Sequence, residues 1–119
     1  MYKITSTGMN LIKKDEEYSF IPFTHTNSIN IHLEKSGIII FTLLQQSNIS
    51  YVTIYRKNKE NIIVFDNNKQ ITIKYDDNEI IKLVCVVKKN NNGNNIKLVL
   101  GNIIVENDFL QHSNNAHCP

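Results

Sequence analysis

Cys85 is the most nucleophilic side chain in the interior of this sequence, and its setting limits what it can do. A reactive or metal-binding thiol needs solvent access and a lowered pKa, whereas the neighbours here read "LVCVV", an aliphatic run that offers neither. An inert core thiol is expected. The second cysteine, Cys118, stands next to the last residue, and pairing it with Cys85 would draw a polar tail into a core position. No disulfide is expected.

The histidines His25, His32, His112 and His117 have neither the HxH spacing of a cupin-like metal centre nor the HExxH of a metalloprotease. A soft metal gathered by His112, His117 and Cys118 would have to order the tail that carries them. The acidic run Asp76-Asp77-Asn78-Glu79 offers oxygen ligands, yet calcium takes about six to eight oxygens, and the run lacks the spacing and glycine of a helix-loop-helix calcium site. It reads as the turn of a β-hairpin. The serines lack a nucleophile-elbow motif, no acid pair has a context that fixes its geometry, and no glycine-rich loop could cradle a phosphate. A non-catalytic protein without metal or cofactor is expected.

The aromatic residues support a different chemistry. Tyr51, Tyr55 and Tyr75, with Tyr18 and Phe20 near the N-terminus, could stack on a glycan or another small ligand while Asn, Asp and His side chains bond its hydroxyls. The chain has no Trp, which weakens that reading, and a tyrosine is also an ordinary half-buried strand residue. Basic residues exceed acidic ones by a net charge of +2, and "KK" at Lys13-Lys14 and at Lys88-Lys89 are isolated pairs. No basic stripe interleaved with aromatics is visible along the chain, so nucleic acid is not an expected partner. No stretch approaches membrane-spanning length, and "MYKITSTGMNLIKK" has no signal-like apolar region, so no membrane partner is expected and a cytoplasmic location is preferred.

Ile and Asn dominate the sequence and are segregated. Ile gathers in runs such as "GIIIF" and "ENIIVF", while Asn collects in "DNN" and "KNNNGNN". Branched Cβ atoms suit a pleated surface, and Asn suits turns because it tolerates positive φ. The chain therefore reads as eight to ten short strands joined by polar turns, with no helical periodicity. "YKIT" and "MNLIKK" are the first two strands. "DEEYSFIPF" contains Pro22 and is expected at an edge or in a crossing loop. "SINIHLE" alternates Ile29, Ile31 and Leu33 against Asn30, His32 and Glu34. "ISYVTIYRK", "NIIVF" and "QITIKY" follow, and "NIKLVL" and "NIIVE" are expected as a final pair broken at Gly101.

Two runs are apolar on both faces: "GIIIFTLL" from Gly37 to Leu44, and "EIIKLVCVVKK". One face of each fills a core, and the other must be covered by a loop, a partner or an identical chain. Ile38, Ile40, Leu44, Val84 and Val86 are the expected interface residues. The architecture expected is all-β, an antiparallel β-sandwich of jelly-roll-like or immunoglobulin-like topology, with a compact β-barrel as the alternative. One domain spans 1–110, and 111–119 is a polar tail. The function expected is a protein-interaction or assembly module that self-associates through an aliphatic sheet face; the alternative is a carbohydrate- or small-ligand-binding sandwich.

Overall fold

The computed structural model describes residues 2–89 and 95–108. Ten strands alternate along the chain: β1 (Tyr2–Thr7), β2 (Met9–Lys14), β3 (Glu17–Pro22), β4 (Ser28–Leu33), β5 (Gly37–Ser47), β6 (Ile49–Tyr55), β7 (Ile62–Val64), β8 (Lys69–Tyr75), β9 (Ile80–Val87) and β10 (Lys97–Asn107). They form two five-stranded antiparallel sheets packed as a β-sandwich. Sheet A has the order β1-β4-β9-β6-β7 and sheet B the order β2-β3-β10-β5-β8.

The pairing order settles the topology. From β3 to β10 the chain folds as one long hairpin with β6 and β7 at its tip: β3 lies beside β10, β4 beside β9, β5 beside β8 and β6 beside β7. Rolled up so that β10 also meets β5 and β9 also meets β6, this is a jelly roll of eight strands, with β1 and β2 added at one edge of each sheet.

Asparagine makes the reversals possible. Asn48, Asn58, Asn68, Asn78 and Asn95 stand in five successive connections with φ between 55° and 63°, and Asp15 plays the same part between β2 and β3. Only small polar residues and Gly visit this left-handed region cheaply. Gly8, between β1 and β2, also has positive φ, and a Cβ there would come within 2.2 Å of the Thr26 carbonyl oxygen.

The inner faces supply the core. Ile29, Ile31, Leu33, Val52, Ile54, Ile81, Leu83 and Cys85 from sheet A pack against Phe20, Ile39, Phe41, Leu43, Ile71, Ile73, Leu98 and Leu100 from sheet B. Cys85 is buried as expected, and burial pushes its thiol pKa up to about 12.

Three expectations change. β3 is an internal strand, because Pro22 is its last residue and lies beyond the stretch that pairs with β10, where its missing N–H costs no ladder bond. β10 runs unbroken through Gly101, with register shifts on either side; a Cβ at Gly101 would meet Leu44 Cδ1 at 2.6 Å, so this glycine makes room for a side chain where a turn was expected. The acidic run 76–79 does reverse the chain, but β8 and β9 belong to different sheets, so it is an arch between layers and not a hairpin. The reversal expected at 90–95 lies largely outside the described residues, as does the tail with His112, His117 and Cys118.

Candidate interaction surface

Residues directly opposite one another in an antiparallel pair share a face of the sheet. On sheet A, the pairing of β9, β6 and β7 sets Val86 beside Tyr51, and Val84 and Ile63 on either side of Thr53. Phe65 follows β7 directly, and its ring meets that of Tyr51 at 5.5 Å with a 53° tilt. These residues lie on the outer face, because Ile81, Leu83 and Cys85 in β9 and Val52 and Ile54 in β6 point into the core. Phe65 is 64% exposed and Ile63 52%, while Thr53 between Ile63 and Val84 is nearly buried by its apolar neighbours.

The patch therefore contains Tyr51, Ile63, Phe65, Val84 and Val86. Tyr55 stands at its margin opposite Lys82, with exposed Ile80 two residues further along β9. Towards β4 and β1 the same face turns polar. There Asn30 lies beside Lys82 and His32 beside Ile80, and Thr5 Oγ1 is 3.0 Å from His32 Nε2.

Residues expected in two separate roles thus meet. Tyr51 and Tyr55, read as ligand contacts, share one surface with Val84 and Val86, read as interface. The remaining interface residues do not join them. Ile38, Ile40 and Leu44 lie on the outer face of sheet B, on the far side of the sandwich, and are half-buried. Ile38 sits between Lys74 and Glu106, and Ile40 between Thr72 and Ile104, so the apolar surface there is interrupted.

Tyr75 leaves the aromatic set. It is 1% exposed, its side chain points inward with Ile71 and Ile73, and its hydroxyl has no hydrogen-bond partner among the described residues. Burial, helped by the charge of Asp108, raises its pKa. Period-two alternation had placed Tyr75 with Ile71 and Ile73, which was the signal for burial. Ile63 and Phe65 were missed as surface residues because "NIIVF" gives no clue to which face is covered.

The fold engages two side chains of the acidic arch, Asp77 and Glu79. Arg56 donates from Nε to Glu79 Oε2 at 2.6 Å and from Nη2 to Glu79 Oε1 at 2.8 Å, and Nη2 also reaches the Lys74 carbonyl at 3.0 Å. Asp76 N–H donates to Glu79 Oε1 at 3.0 Å, and Asp77 Oδ1 accepts from the Ser36 N–H at 2.6 Å. Burial pulls the Glu79 pKa upward, but the Arg56 and Asp76 hydrogen bonds and the Arg56 and Lys59 charges outweigh it and leave the carboxyl below its ordinary value. Among the described residues no group of three or more His, Cys, Asp or Glu side chains is placed to hold a metal ion.

Sequence reasoning also missed Asn27, a buried polar residue just before β4. Its amide donates to the Cys85 carbonyl at 3.1 Å and its Oδ1 accepts from the Cys85 N–H at 2.9 Å, extending the β4–β9 ladder with a side chain. The same amide nitrogen reaches the carbonyls of Thr24 and His25 at 3.5 and 3.4 Å, fixing the loop before β4. No protein-family model and no curated protein matches the chain.

Proposed function

We propose that this domain is a non-catalytic association module that binds a second copy of itself through the outer face of β6, β7 and β9. The observation that carries the reading is the continuity of Tyr51, Ile63, Phe65, Val84 and Val86 on one sheet face. Isolated exposed aliphatics are ordinary, but a contiguous apolar patch with a polar margin is what interface cores look like. A two-fold pairing would set apolar rows against each other and leave Lys82 at the rim. The glycan alternative has less support, since the Tyr51 and Phe65 rings are tilted and do not form a flat platform, and Tyr75 is absent from the surface.

Absolute mass by light scattering coupled to size exclusion, over a concentration series, tests the reading. A dimer or larger species is expected for the native chain, and Val84→Lys and Ile63→Lys should each give monomers with an unchanged β-sheet circular dichroism spectrum. A native chain that stays monomeric at every concentration, or folded variants that keep the native mass, would remove self-association.

A further inference from the structure

Charge is distributed unevenly between the two ends of the sandwich. The β3–β4, β5–β6, β7–β8 and β9–β10 connections emerge at one end, which carries Lys69, Lys88, Lys89, Lys97 and His25 but only Asp66 among the 11 Asp and Glu residues. The other ten acids stand at the opposite end, mixed with the remaining basic residues.

An exposed Phe23 ring and a half-buried Tyr51 ring flank the lysines at the basic end. A cleft of about 480 Å³ is lined by Phe23, Thr24 and His25 on one side and by Lys88 and Lys89 on the other. A second, of about 650 Å³, lies between the same two lysines and Tyr51. Phe23 is 67% exposed, and the Tyr51 ring is backed by Phe65. This lysine ridge between aromatic side chains is made by two connections, β3–β4 and β9–β10, and by strand β6, which is why no such pattern appears along the chain. The framework is held in advance: Phe23 N–H donates to the Gly8 carbonyl at 3.0 Å, Asn27 ties its loop to Cys85, and Lys88 N–H donates to the Asn48 carbonyl at 3.1 Å.

We infer that this end of the sandwich binds single-stranded nucleic acid, with Lys88 and Lys89 on phosphates and Phe23 stacking on a base. Lysines supply charge for the backbone, and a ring supplies a face that any base can use, so the recognition is tolerant of sequence. A sulfated polysaccharide would satisfy the lysines too, but a base presents a full π-face to the Phe23 ring and a sugar does not. The second cleft shares Tyr51 and Val86 with the association patch, and the first, beside Phe23, shares none of its residues, so it stays open when the chain self-associates.

Fluorescence anisotropy with a labelled oligothymidylate of about ten nucleotides, a length within single-strand site sizes, is the test. Binding is expected at low salt, with a slope of log K against log salt of about −1.4 for two phosphate contacts. The pair Lys88→Glu/Lys89→Glu should weaken it by at least about tenfold and Phe23→Ala by about tenfold, as loss of one stacked base predicts. The control Lys13→Glu/Lys14→Glu at the other end should bind as the native chain does, and so should Ile63→Lys, which separates this site from self-association. The inference falls if the native chain does not bind, if Phe23→Ala binds unchanged, if the control loses as much as the ridge variant, or if a sulfated polysaccharide of equal charge binds more tightly than the oligonucleotide.

Discussion

Asn27 shows how a single polar side chain can stand in for backbone. Its amide exchanges two hydrogen bonds with Cys85 in a buried setting, so removing it would orphan an N–H and a C=O that no water reaches. Each such group costs about 1–3 kcal/mol, and Asn27→Leu should therefore lower stability by about 3 kcal/mol, read as a shift in urea midpoint at unchanged slope. A loss below about 1 kcal/mol would show that the loop before β4 rearranges to replace the bonds. Cys85 itself is sealed in the core with a pKa raised by burial, and no thiol chemistry follows from it.

At the scale of elements, the arch between β8 and β9 is a clasp. Arg56, just after β6 in sheet A, holds Glu79 beside β9 and the Lys74 carbonyl of β8 in sheet B, so one guanidinium links the two layers. Because the Glu79 carboxyl has a folded pKa below its unfolded one, its contribution is present above the unfolded value and is lost as pH falls through the lowered one. Native protein should lose stability across that acid range, and Glu79→Gln should lose less there while being less stable at neutral pH by about 3 kcal/mol. Urea melts of both proteins from neutral pH downward check this; equal acid sensitivity would mean that the clasp is not what titrates. The arch was legible as a turn, but its partner Arg56 lies 23 residues away and gave no sign in the sequence.

For the whole molecule, the decisive fact is that the two double-faced strands belong to different sheets. Ile38, Ile40 and Leu44 face away from Val84 and Val86, so no single flat partner can cover both groups. Ile40→Lys should therefore leave the solution mass unchanged under conditions where Val84→Lys abolishes assembly. An equal effect of the two would place the contact on both outer faces and imply a stacked array. The polar neighbours Lys74, Thr72 and Glu106 around Ile38 and Ile40 are the physical reason to expect the asymmetry.

Local chemistry fixed a good part of this protein in advance. Alternation in "SINIHL" and "QITIKY" named the inward residues Ile29, Ile31, Leu33, Ile71 and Ile73, because side chains of a strand alternate between faces whatever surrounds it. Asn marked several of the reversals, since it tolerates positive φ more readily than most residues. Neither rule says which strand lies beside which. Only the jelly-roll pairing brought Phe65 onto Tyr51, set Val84 and Ile63 on either side of Thr53, and gathered Phe23, His25, Lys88 and Lys89 at one end. Contacts between residues far apart in sequence are chosen by global packing of two faces against each other, and that choice is made by the whole chain at once.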